Sequence, residues 1–414
     1  MPAGPIESGY VAHQLQAGVY DSIPSLQPGG DTTPLEGWMS SDAGRAWARA
    51  ALRRGVSRAA SAGNEGVLAG LKKHSWEDAH LTQRAEIGRV LAHLPERAEA
   101  LLRLREGPSE SVLSGPDSEV EKAGEDKKDE NGDEEDKGEA DDTEERFSGL
   151  PPDFGYDDAL VLAAARWFKH EYFRWADPIA CACGGATAYA GPGEPSADDR
   201  AGGAARVELH RCAACGATTR FPRYNTVRAL MRARVGRCGE FAQLFYVFLL
   251  ALGLEARYVW NSEDHMWAEY WSPALQHWVH VDACEAEVNK PLLYDRGWGK
   301  MQAYCLAFGV AGAEDVTRAY VDDWGACLRR RQDKWRQGTG WGERRLAWLL
   351  LTHTVQCRGL LEDEERLRLQ SMDEAQARWV ADAAGREREA AAGGLKGRES
   401  GTEEWKEARG ETGK

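Results

Sequence analysis

The chain has 414 residues, 67 of them acidic and 52 basic, giving a net charge of −15. Nothing approaches the roughly 18 consecutive apolar residues of a membrane span, and the opening MPAGPIESGYVAHQLQAG lacks the basic start and apolar core of a signal peptide, so neither is expected. Nine cysteines, an odd number, argue against a disulfide framework and agree with a cytoplasmic or nuclear setting.

Length alone suggests about two to three domains. Residues 1–36 are rich in Pro, Gly and Ser and read as disordered, and a helical segment, 37–112, follows with helices expected over Trp38–Ala62, Glu77–His93 and Pro95–Arg105. The stretch 113–147 reads as a disordered acidic linker: between Asp117 and Glu145 there are 16 acidic and 4 basic residues, −12 of the chain's −15. The remainder is nearly neutral, so charge argues neither for nor against nucleic acid, and none is expected as a partner.

The catalytic core is expected over 148–385, opening with an amphipathic helix from Asp157 to Trp175. An insert over 178–218 carries two cysteine pairs, Cys181-Ala182-Cys183 and Cys212-Ala213-Ala214-Cys215-Gly216. Two residues between thiolates with glycine after the second is zinc-knuckle spacing, and a structural zinc is the reading preferred over reduced surface cysteines. Gly185 to Ala204, between the pairs, reads as a long loop.

Beyond the insert, Cys238 stands in Gly236-Arg237-Cys238-Gly239-Glu240, and Glu240 to Leu252 is too apolar and too long for a strand. It is a buried helix closed by Gly253, which places Cys238 at the helix N-terminus, where free N–H groups and the dipole favour a thiolate. Three strands follow: Glu255–Asn261, His265–Trp271 and His277–Ala283. Alternation puts His265, Trp267, Glu269 and Trp271 on one face of their strand, and likewise Trp278, His280 and Asp282 on one face of theirs. With Ser272–Leu275 as a four-residue turn, His265 lies opposite Asp282, where a carboxylate can orient an imidazole. Taken singly each of the three is more often structural; their joint order describes a thiol nucleophile with its base. Helices are expected over Val316–Arg336 and Arg344–His353, and 386–414 reads as a charged, solvated tail. Sixteen tryptophans fit a carbohydrate cleft or an aromatic core equally well.

Seven words from Thr219 to Tyr320 (TRFPRYN, GRCGEFA, ALGLEARYVWN, DHMWAEYWSP, WVHVDACE, KPLLYDRGWGK and DVTRAY) closely resemble, in this order, the cytoplasmic peptide:N-glycanases of the transglutaminase-like superfamily. LVLAAARWFKHEYFRW upstream and GRESGTEEWKEARGE near the C-terminus extend the resemblance. It implies an α+β fold, transglutaminase-like or papain-like, with a nucleophile helix packed on an antiparallel sheet. It also implies hydrolysis of the amide joining an N-glycan to asparagine in misfolded glycoproteins, with Cys238 as nucleophile, His265 as base and acid, and Asp282 as its orienting carboxylate. Glu285 matches a position that binds the chitobiose core, and Trp267, Glu269, Arg257 and Trp298 match positions lining the cleft. Relatives carry CxxC at the first cysteine pair, the leading cysteine aligning with Ala180. Either the loop here shifts so that Cys181 and Cys183 both bind with Cys212 and Cys215, or three thiolates reach the metal. Ubiquitin–proteasome shuttle proteins are the partners the resemblance suggests. A transglutaminase or cysteine protease on the same scaffold, and a non-catalytic binding module, are the other readings.

Overall fold

This computed structural model describes residues 83–106, 147–359, 361–382 and 395–412. The expected disordered stretch 1–36, the helix 38–62, the start of the helix 77–93 and the acidic run 113–146 lie outside the described residues. Two helices precede the core, α1 (Arg84–Leu91) and α2 (Leu94–Glu106), and bury Ile87, Leu91, Leu94 and Ala98 in it.

Helix α3 (Tyr156–Trp167) is shorter than the expected 157–175. It runs into one π-helical turn, Phe168–Tyr172, and then into β1 (Arg174–Trp175), because the chain must become extended there to pair in parallel with β5 (Val235–Gly236). Between them lies the insert, comprising β2 (Thr187–Gly193), the short α4 (Ala197–Ala201), β3 (Val207–Cys212) and β4 (Thr218–Pro222) as an antiparallel sheet in the order β2-β3-β4. The expected loop 185–204 thus holds a strand and a helical turn. Its Gly- and Pro-rich sequence pairs with β3 through a register shift between Tyr189 and Gly191.

After α5 (Val227–Ala233) comes α6 (Cys238–Ala251), buried from Phe241 to Leu249. Gly253, at φ +85°, ends it, with Leu254 N–H donating to Leu249 O and Gly253 N–H to Leu250 O, the pair of bonds that satisfies the last carbonyls. The main sheet is built from β6 (Ala256–Asn261), β7 (His265–Ser272), β8 (His277–Asp282), β9 (Glu287–Val288), β10 (Cys305–Gly309) and β11 (Gly312–Asp315), in the order β11-β10-β6-β7-β8-β9. All its neighbours are antiparallel.

Alternation sorts the strand residues into two cores. Tyr258, Ala268, Tyr270, Val279, Val281 and Leu306 pack with α3 and α6; Val259, Trp267, Cys305 and Ala307 pack with Leu293, Tyr294, Trp298 and Tyr320. Both sheet faces are covered, so β7 and β8 are buried almost throughout.

The β7–β8 ladder runs from Ala268 opposite Val281 to Ser272 opposite His277. The turn is therefore Pro273–Gln276, with Gln276 at φ +58°, and the register is two residues from the predicted one. An even shift leaves every side chain on its expected face.

The chain closes with a 3₁₀ turn (Thr317–Tyr320), α7 (Trp324–Arg336), α8 (Glu343–Arg358), α9 (Asp363–Ala381) and α10 (Glu403–Arg409). The expected helix 316–336 is split because Asp323 caps α7, its Oδ1 accepting from Ala326 N–H at 2.9 Å. The expected solvated tail is also corrected. Residues 395–412 lie against the core, with Arg398 3% and Glu411 1% exposed, because their charges find buried partners.

Arg331, fully buried on α7, donates to Ala303 O at 2.7 Å and Glu343 at 2.9 Å, and pairs with Asp315. Its replacement by alanine leaves Asp315 buried without its cation, so an urea-unfolding series is expected to show a loss of about 3–5 kcal/mol.

Candidate active site

The first turn of α6 and the first residue of β7 form the site. Arg237 precedes the helix in extended conformation (φ −106°, ψ −168°), and its N–H donates to Glu240 Oε2 at 2.9 Å, so the last residue of GRCGE reaches back to tie the helix start. Glu240 also takes two bonds from Arg223, at 2.6 and 2.8 Å. Gly236 is required here, since a Cβ on it would stand 2.4 Å from Glu240 Cβ. Cys238 is thereby fixed at the first helical position, and Met266, beside His265, brings its Sδ to 3.9 Å from the Cys238 sulfur.

His265 and Asp282 are fully buried, with Nε2 and Oδ2 2.7 Å apart. In the observed register they are diagonal rather than directly opposite neighbours, still within reach across two strands. Asp282 also accepts from Tyr294 Oη at 3.0 Å and from Cys284 N–H at 2.8 Å. His280 supports this arrangement: its Nδ1 accepts from Lys290 N–H (3.3 Å), which leaves Nε2 to donate to Tyr294 Oη (2.7 Å). The chain of bonds from Lys290 to His265 was not foreseen. The same-face placement of His280 and Asp282 was its one signal in the sequence.

Burial pushes the Asp282 carboxyl up, but the imidazole beside it, His280 and the Cys284 N–H together hold it well below the usual range. An ionised Asp282 accepting from Nε2–H fixes the His265 tautomer, so Nδ1 carries the lone pair; Nδ1 is buried and has no hydrogen-bond partner. Burial, with Arg398 and Lys300 adding to it, lowers the His265 pKa against the opposing pull of Asp282. Burial likewise pushes the Cys238 thiol up, against the pull of Arg398. Desolvation thus opposes the thiolate that the free N–H groups and the dipole of the helix N-terminus favour.

The other expected residues are placed differently. Trp267 is fully buried against Tyr294 and Tyr320, with ring centroids 4.4 and 4.7 Å apart. Glu269 is bound by Arg257 Nη2 and Tyr320 Oη, both at 2.6 Å, and Arg257 also holds Glu314. None of these three lines an open cleft in this structure, because the face of the β6–β7 pair they share is covered by the second core. Trp298, also buried, packs its ring 4.9 Å from that of His265. Glu285 lies under the C-terminal segment, its carboxylate accepting from Glu399 N–H at 2.8 Å and Ser400 N–H at 3.3 Å. Cys284, two residues after Asp282, is buried.

Away from the site, the sulfurs of Cys181, Cys183, Cys212 and Cys215 all lie within 4.8 Å of one another. Three of the pairs are 3.5 to 3.6 Å apart, close to the edge of about 3.8 Å that thiolates arranged tetrahedrally about 2.3 Å from one ion would have. All four thus fit a metal, and the Cys-x-Cys pair contributes both sulfurs. Among the described residues no helix is long and apolar enough to cross a membrane.

A helix-borne thiol against an antiparallel sheet carrying histidine and aspartate defines a transglutaminase-like α+β enzyme. The family model "Transglutaminase-like superfamily" matches residues 188–283, and "Rad4 transglutaminase-like domain" matches 260–370. The chain is 40% identical over 263 residues to a peptide-N(4)-(N-acetyl-beta-glucosaminyl)asparagine amidase of Eremothecium gossypii, covering 63% of this chain and 72% of that one. It is 37% identical over 270 residues to the Saccharomyces cerevisiae amidase of that name, covering 63% and 72%. To the human one it is 46% identical over 166 residues, covering 40% and 25%. The chain belongs to the peptide-N(4)-(N-acetyl-beta-glucosaminyl)asparagine amidase family, and is an enzyme of that amidase class.

Proposed function

We propose that the chain releases N-linked glycans from misfolded glycoproteins in the cytoplasm or nucleus, cleaving the amide between N-acetylglucosamine and asparagine by a Cys238–His265–Asp282 triad. The observation that carries this reading is the 2.7 Å His265–Asp282 pair with a free Nδ1 beside the helix that begins at Cys238. Nδ1 takes the thiol proton as sulfur attacks the side-chain carbonyl carbon. The S–C bond forms; on collapse the C–N bond breaks, and the glycosylamine leaves with the proton that Nδ1 returns. Water, losing a proton to Nδ1, attacks the thioester; sulfur departs, recovers its proton, and aspartate remains in the protein.

A transglutaminase would need an amine acceptor in place of this water, and family membership supports the amidase over that reading and over a protease. For the cysteine cluster we infer zinc, which all-sulfur tetrahedral sites favour; bound there it supplies structural cross-linking only. The test is denatured high-mannose glycoprotein incubated with wild type and with Cys238→Ala, followed by mass spectrometry of the former glycosylation site. A gain of about one mass unit at the asparagine, with wild type only, is expected. Intact glycan with both folded proteins would overturn the reading in favour of a binding module.

A further inference from the structure

The C-terminal segment 395–412 crosses the site just described. Glu399 and Ser400 cap Glu285 with their N–H groups, Arg409 holds Asp264, next to His265, with Nη1 on Oδ2 at 2.7 Å and Nη2 on its carbonyl at 2.8 Å, and Lys300 Nζ meets Glu411 at 2.7 Å. At its centre lies Arg398. Its guanidinium is enclosed by the rings of Trp405, Trp298 and Trp175, with Cζ 4.4, 4.8 and 5.0 Å from the centroids. Nη1 bonds Glu411 at 2.5 Å and Nε bonds Ser400 Oγ at 2.9 Å.

Nη2 is buried and bonds nothing. A buried donor without a partner costs about 1–3 kcal/mol, more if charged, and calls for an explanation such as a catalytic role. It is not isolated: Trp298 Nε1 and His265 Nδ1 are also buried without partners, and the Trp298 ring touches both His265 and Arg398. Three unsatisfied polar groups around one indole point to a species that occupies the site during reaction.

The local charge balance agrees. The Glu411 carboxylate is shared by Arg398, Lys300 and Arg409, and Glu285, 3.9 Å from Arg398, is pushed toward its neutral form by burial and by Asp282. The ionisable groups whose charge acts most on Cys238 are Arg398, Asp264, Glu240 and Arg223, with Tyr258 and Cys284 also coupled to it. Arg223 is engaged by Glu240 and Asp264 by Arg409, which leaves Arg398 as the cation with capacity to spare.

We propose that Arg398 is a charge-stabilising residue of the amidase site, delivered by the C-terminal segment, whose free Nη2 stabilises the anion that forms at Cys238 and at the carbonyl oxygen under attack. This rests on Cys238 being the nucleophile. The test is the pH dependence of iodoacetamide alkylation, in which thiolate sulfur bonds the methylene carbon and iodide leaves, with Cys238 followed by peptide mass spectrometry in the full chain. In Arg398→Gln, folded by its melting curve, the midpoint is expected to rise by about one unit or more, while Arg398→Lys keeps most of the wild-type midpoint. An unchanged midpoint in Arg398→Gln, with Cys238 still the fastest-reacting thiol, overturns the role of Arg398 and leaves the nucleophile in place. If Cys238→Ala retains glycan release, the underlying assignment falls instead. If Arg398→Gln does not fold, Glu411→Gln decides: freeing Arg398 of its anion is expected to lower the midpoint, and an unchanged or raised midpoint overturns the proposal.

Discussion

Asp282→Asn is expected to reduce turnover on a denatured glycoprotein by about 10³- to 10⁴-fold, the size of effect seen when a triad aspartate becomes asparagine, with the fold intact. Shape is conserved, and the new amide oxygen can still accept from Cys284 N–H, which holds Oδ1 at 2.8 Å. That leaves the amide NH₂ where Oδ2 now accepts from both His265 Nε2 and Tyr294 Oη. An NH₂ cannot accept, so the imidazole must turn to the other tautomer, with the proton on Nδ1 and the lone pair on Nε2. The nitrogen that should take the thiol proton then already carries one. Substrate KM should move little, because Asp282 is fully buried and reaches substrate only through His265. A loss of less than tenfold in kcat, with an unaltered melting curve, would mean that the tautomer is fixed by something other than this carboxylate.

How far this arrangement was legible in the sequence depended on whether the determining interaction was local. The helix that begins at Cys238 was readable because an unbroken apolar run and Gly253 admit little else. The face shared by His265 and Trp267 was readable because alternation survives any even shift of register. The register was not, since both Ser272 and Gln276 can sit in a four-residue turn, and it is Gln276 that adopts the left-handed conformation. The C-terminal segment was least legible. A run rich in Arg, Glu and Lys looks solvated by composition, yet Glu411 is buried between Lys300 and Arg398, and nothing local to 395–412 announces partners about a hundred residues away. Trp267, Glu269 and Arg257 were assigned to a cleft by resemblance. Their burial follows from the second layer on that sheet face, which no strand pattern reveals.

Loss of the four-cysteine cluster is expected to disable the enzyme from a distance. Cys212 ends β3, and Glu208 on the same strand accepts from Arg223 at 3.1 Å and Arg237 at 3.2 Å. Arg237 is the residue before Cys238, and Arg223 also clamps Glu240 in the first turn of α6. The strand that ends in Cys212 is thus bonded, directly and through Arg223, to residues on either side of Cys238. Metal binding of this type supplies about 10–16 kcal/mol of apparent free energy in small zinc domains at neutral pH. Only a fraction need reach the rest of the fold to be seen: about 3 kcal/mol corresponds to about 6–12 °C in Tm for a domain of this size. Cys212→Ser, or wild type treated with a strong chelator, is therefore expected to melt about 10 °C lower and to lose activity in parallel. Glu208→Gln, which leaves the sulfurs untouched, should retain bound metal and most of the melting temperature while still lowering kcat, since it weakens the hold on Arg223 and Arg237. A chelated protein with unchanged melting and full activity would show the cluster to be dispensable. A Glu208→Gln enzyme with wild-type kcat would show that the insert stabilises the fold without helping to position Cys238.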